Sequence, residues 1–360
     1  MKRIIWFIVP LFFLLLSPTV GSARPAAESL IFLPVVTRSL PELGPISGSL
    51  LIDGEEGRIY TQAEIDGALY TVVLDAENGH LQQFFSPAGR LGLDRAQQRL
   101  VVDQGDAGVT ILDATSGAVL GKLSVPGGPV ADPQINADTA RGYLFRESTI
   151  HVIDLDAQTI VEMIESPLSL SVCDELQGAA PITRSYYDPA EAMLHVSFTT
   201  SVCTPYFTET IVSYNGELEP VAQYEYPNVY QAVPFAGNLY GTSVLRGYQP
   251  FGLSYWAFNA TEEWYDETVV GSDAELKGIV VDEQRNFLYE ALWENPNQGE
   301  TERMIRISDT ADRTLLSTVP WERLGLEDAQ LAGYDSVGDQ LYFLEDGVLH
   351  ILATDLLLPG

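Results

Sequence analysis

Seven residues in three long hairpins have side chains suited to recognition: Tyr206, Phe207, Arg246, Tyr248, Phe251, Trp293 and Glu294. Aromatic rings with a few polar groups among them can stack on a sugar ring or anchor a peptide, since each ring offers a large apolar face and little rotamer entropy to lose. The same rings could instead pack their own hairpins, and the residues alone leave both readings open. Cys173 and Cys203 are the only two cysteines. A thiol nucleophile needs a base beside it, and no Cys/His arrangement is visible in the sequence.

Signals for catalysis and cofactors are sparse. The chain contains no G-x-S-x-G elbow, H-E-x-x-H pair, phosphate loop or dinucleotide fingerprint. His151, His195 and His350 fall inside apolar strands and read as structural, whereas His80 follows an Asn78-Gly79 turn and reads as exposed. Carboxylates are abundant but not arranged as a D-x-D-x-D-G calcium loop. Asp103-Gln104-Gly105-Asp106 and Asp154-Leu155-Asp156 are better read as turns, whose side chains hydrogen-bond the nearby backbone. No catalytic residue, metal ligand set or cofactor is therefore expected.

The elements that position these residues repeat. A turn Asp, often an Arg, an apolar strand containing Tyr or Leu, and a second strand ending in Asp recur seven times between Asp53 and Leu352. Arg58-Ile59-Tyr60 with Tyr70 to Asp75, Arg99 to Val102 with Val109 to Asp113, and Arg141 to Phe145 with Ile150 to Asp154 are the clearest copies. The fourth unit has Met193 to Val196 with Thr210 to Tyr214, and the fifth, the most degenerate, has Asn238-Leu239-Tyr240 with Leu253 to Phe258. Phe287-Leu288-Tyr289 with Met304 to Ile307, and Gln340 to Phe343 with Val348 to Leu352, complete the series. Each unit has room for a strand before and a strand after this pair. Alternation at period two, punctuated by Gly, Asn and Asp, predicts half-buried antiparallel strands, and four of them in roughly 40 to 50 residues is the size of a propeller blade.

The run Val109 to Val125, followed by Pro126-Gly127-Gly128-Pro129 and Tyr143-Leu144-Phe145, resembles the YVTN-type repeat of the WD40-like propeller superfamily. In that repeat a V-x-V-I-D strand, an outer strand, a G-x-x-P link and an L-Y-V strand recur. The seven units predict an all-β, seven-bladed β-propeller of four-stranded antiparallel blades, and the resemblance implies the same propeller architecture. Some propellers are lactonases or hydrolases that use channel carboxylates, His and a metal, so a metal-assisted hydrolase is the alternative to a binding role.

Only eight residues follow Leu352, so the outer strand of the last unit must come from elsewhere, and Leu30 to Val36 is the expected donor. Pro34 suits an outer strand, where fewer ladder donors are needed. Residues 1–23 read as a signal peptide: basic Lys2-Arg3, an apolar run from Ile4 to Leu16, and small residues at Gly21-Ser22-Ala23. Residues 24–360 then form a single propeller domain, with the closing strand inside 24–45, and the mature chain contains no membrane span.

With 50 acidic against 19 basic residues the net charge is -31, a surface that repels nucleic acid. In an exported chain the two cysteines predict a Cys173–Cys203 disulfide, since the link and the hairpin that hold them emerge on the same face of a four-stranded meander. That face also carries the lengthened hairpins 200–209, 242–252 and 293–301. The sequence reading is a secreted, extracytoplasmic, monomeric binding or scaffold propeller that recognises an extracellular protein or glycan through the long loops of blades four to six. Asn259-Ala260-Thr261 has the form of a glycosylation acceptor.

Overall fold

The computed structural model describes residues 43–357, apart from 174, 204–205, 228, 236–237, 246–251, 260–268, 271–274, 295–301 and 312–313. The compact unit Leu40–Gly360 is built from antiparallel meanders. Six sheets complete four such strands, over 46–85, 90–123, 134–165, 182–227, 229–270 and 275–320. The last sheet has three strands, Gln330–Asp335, Gln340–Glu345 and Val348–Ala353.

The expectation of seven four-stranded blades is thereby corrected, because six blades are complete and the final sheet has three strands among the described residues. The difference has a physical reason. The two middle strands of each unit carry the buried, strongly patterned residues and recur seven times, whereas completeness depends on the outer strand, which is exposed and weakly patterned. Leu30 to Val36, the expected donor of that strand, and the leader 1–23 lie outside the described residues.

The ring closes through its inner strands. The first strand of each sheet lies against that of the next, and Gln330–Asp335 lies against Ile46–Asp53. The Ile46 N–H donates to the Gly347 carbonyl at 2.8 Å, and the Tyr342 hydroxyl donates to the Ala76 carbonyl at 3.0 Å. Tyr342 is fully buried among Ile52, Ile59 and Leu74 of the first blade. Neighbouring blades share such cores throughout, as where Tyr143, Phe145 and Val152 of the third blade meet Leu194, Val196 and Phe198 of the fourth.

The repeated Asp and Arg explain the turns and the stitching between blades. Asp94, Asp188 and Asp282, buried at the ends of first strands, accept backbone N–H groups from Gln97 at 3.2 Å, Ala190 at 2.9 Å and Gln284 at 3.0 Å. These bonds hold the tight turn in place of ladder bonds. Arg99 donates to Asp94 at 2.7 Å and reaches Asp156 of the next blade at 2.6 Å. Arg285 likewise joins Asp282 at 3.1 Å to Asp339 in the last sheet.

The fourth blade is enlarged. An extra hairpin, Ser169–Val172 and Glu175–Ala179, joins the distal half of Met193–Cys203, with Ser171 and Val172 pairing in parallel with Ser201 and Val202. The Cys173–Cys203 disulfide fastens its turn to that strand, with 4.7 Å between the Cα atoms, as the sequence predicts. No described helix is long and apolar enough to cross a membrane.

Candidate functional site at the channel mouth and the fourth blade

Inner strands begin on the face where second-to-third-strand hairpins end. Arg90, at the start of its strand, pairs with Asp103, at the end of the second strand of the same blade. The channel mouth, the disulfide and the strand ends that bound the long hairpins therefore share one face.

A cavity of about 900 Å³ opens there between the inner strands. Ser49, Arg90, Asp132 and Arg184 line it, each four residues before the turn residue of its own blade, Asp53, Asp94, Asn136 and Asp188. The same offset from the turn residue thus delivers four polar side chains from four consecutive blades to one rim, Ser49 from a β-bulge and Asp132 from just ahead of its strand. Arg90 pairs with Asp132 at 3.2 Å, and the Ser49 hydroxyl donates to the other carboxylate oxygen of Asp132. The Ser185 hydroxyl and the Gln134 amide both donate to the Asp132 carbonyl at 3.3 Å.

In the adjoining fourth blade Arg184 pairs at 3.3 Å with Glu209, which also accepts from the Ser197 hydroxyl at 3.3 Å. Glu209 is buried, and that burial raises its carboxyl pKa above the usual range, with Arg184 opposing the shift. Tyr186, on the cavity wall, is pushed up to about 12 by burial. Among the described residues no group of three or more His, Cys, Asp or Glu side chains is placed to hold a metal.

Of the recognition residues expected from sequence, Tyr206 and Phe207 open the strand Tyr206–Tyr214 and pair along the backbone with Cys203 and Val202, directly beside the disulfide. Glu294 ends the strand Phe287–Glu294 in the sixth blade, opposite Glu302. Arg246, Tyr248 and Phe251 lie outside the described residues, as do Ala260 and Thr261 of the glycosylation sequence. Trp293 is half-buried between two cations, with Lys277 Nζ 3.9 Å and Arg303 Cζ 4.6 Å from its ring centroid, and meets Trp321 edge-on at 6.5 Å. The structure thus places Tyr206 and Phe207 at the enlarged blade and Trp293 within the packing of the sixth.

The histidines sit as their strand positions imply. His195 is fully buried with Nδ1 2.7 Å from the Ser213 hydroxyl, and burial lowers its pKa to about 4. It occupies the position held by Tyr60, Tyr143, Tyr240, Tyr289 and Tyr342 in other units. His151 is buried and its pKa is lowered, first by burial and then by Arg146. His350 lies 3.5 Å from Glu345, and His80 is exposed.

The rim residues Ser49, Arg90, Asp132 and Arg184 were not expected from sequence. The signal was present in one column of the repeat, four residues before each turn residue. It is faint because the four differ in type and match no motif.

No protein-family model matches the chain, and a search of curated proteins returns no match. Among solved structures, the β-propeller domain of Cps50 (Swd1) from Myceliophteria thermophila is similar, with a TM-score of 0.60 at 10% identity, covering 88% of this chain and 99% of that one. A likeness at that identity shows the fold, a β-propeller.

Proposed function

We propose that this chain is an exported binding propeller that recognises an extracellular protein or glycan through the face bearing the long hairpins of blades four to six. The observation that carries this reading is the enlarged fourth blade. Its added hairpin exposes Val172 at 37% beside Val202 at 38% on one face and Leu176 at 77% on the other, on a chain whose net charge is -31. Exposed apolar side chains on a projecting hairpin of a charged surface favour a partner that covers them. The disulfide and the parallel pairing hold the platform before any partner arrives, which lowers the ordering cost of binding. Tyr206 and Phe207 begin the strand on the other side of Met193–Cys203, so the aromatic recognition residues lie one strand away from the added hairpin.

Export fits the disulfide, since such bonds persist in oxidising compartments. It also fits the apolar leader sequence. The test is a screen of the chain lacking residues 1–23 against extracellular protein and glycan arrays, with and without calcium, repeated with Leu176→Asp. The expected result is a saturable ligand that Leu176→Asp weakens by about tenfold or more. A ligand bound equally well by a correctly folded Leu176→Asp variant would place recognition elsewhere.

A further inference from the structure

We infer that the channel mouth is a second, separate site, built for a neutral hydroxyl-rich ligand of saccharide size. It is independent of the fourth-blade platform. Its volume, about 900 Å³, falls in the range of small-molecule pockets, with room for a few sugar rings.

The wall chemistry selects the ligand class. Each rim guanidinium stands beside a carboxylate, Arg90 with Asp132 and Arg184 with Glu209, so the charges cancel in pairs and a charged ligand gains no net partner. Both members of the first pair are partly open, with Arg90 42% and Asp132 28% exposed. Donors and acceptors therefore lie side by side on the wall. A hydroxyl group can donate to the carboxylate and accept from the guanidinium at once, which a carboxylate or an ammonium group cannot. Gln62 and Gln330 add amides with the same dual character, while Leu50, Leu91 and Leu331 supply apolar wall for the C–H faces of a ring. The strong negative charge of the whole chain further disfavours a polyanion.

The contacts support a built site. Ser49, Arg90, Asp132 and Arg184 share one offset from the turn residues, and three of them are joined, Ser49 and Arg90 both reaching Asp132 across blade boundaries. Bonds from Ser185 and Gln134 to the Asp132 backbone hold that residue in place.

The test is a titration of the folded chain with maltotriose, cellotriose and chitotriose, and with a sialylated trisaccharide as the anionic arm, read by ligand-observed NMR and calorimetry. At least one neutral trisaccharide should bind, and Asp132→Asn and Arg90→Gln should each weaken it by about tenfold or more, as expected for a lost charged hydrogen bond. Ser49→Ala, a milder change, should weaken it less, and Leu176→Asp should leave it unchanged. The inference is overturned if none of the neutral sugars binds, if the sialylated sugar alone binds, or if the rim variants retain full affinity while folded. Loss through Leu176→Asp but not through the rim would assign the sugar to the fourth-blade platform and also overturn it.

Discussion

Arg146 of the third blade closes a two-pronged ion pair on Asp103 of the second, Nη1 to Oδ2 and Nη2 to Oδ1 both at 2.7 Å, with both side chains buried. The pair ties neighbouring sheets at the face that carries the channel mouth. Removing one partner strands the other charge away from water. Arg146→Met should therefore cost about 3–5 kcal/mol in urea unfolding, and a second substitution of Asp103 by Leu should recover much of it.

The buried His195 makes stability depend on pH. Its folded pKa, about 4, lies below the unfolded value of 6.5, so the unfolded chain binds the proton more readily between the two. Its contribution is fully present above 6.5 and is lost as pH falls toward 4, a total of about 3 kcal/mol. His195→Tyr, which installs the residue most units carry there, should flatten the dependence of the unfolding midpoint on pH across that window.

The Cys173–Cys203 bridge closes a loop with a sequence separation of 30. By chain entropy such a loop contributes about 3–4 kcal/mol. Replacing both cysteines by serine should lower global stability by up to that amount. Amide exchange should rise most in 169–179, whose hairpin the bridge fastens. Intact mass should differ by two hydrogens between reduced and oxidised wild-type protein.

Trp293 makes a packing prediction distinct from a binding one. With Lys277 and Arg303 over its ring and Trp321 at its edge, Trp293→Ala should cost about 3 kcal/mol of stability. Trp293→Phe should keep most of the stability. A loss of ligand affinity in Trp293→Phe with stability retained would assign the indole a direct contact.

How much of this was legible in the sequence follows from where the physics is local. Asp94, Asp188 and Asp282 act on N–H groups two or three residues away, so their turns could be read directly. The disulfide was legible because both cysteines lie in loops of known polarity within a four-stranded meander. The last sheet was not, since its strand count depends on an outer strand that packing does not mark in the pattern. The rim was missed because Arg90, Asp132 and Arg184 are ordinary surface types in one dimension. Only the ring brings them together. The stacking of Trp293 between cations joins three strands whose register could not be fixed in advance.

Recognition on the face shared by the fourth-blade platform and the long hairpins is checked by hydrogen exchange of the folded chain, with and without a ligand from the array screen. New protection is expected in 169–179 and 193–210, with the opposite-face turns 54–57, 95–98 and 283–286 unchanged. Protection confined to those opposite-face turns would contradict it.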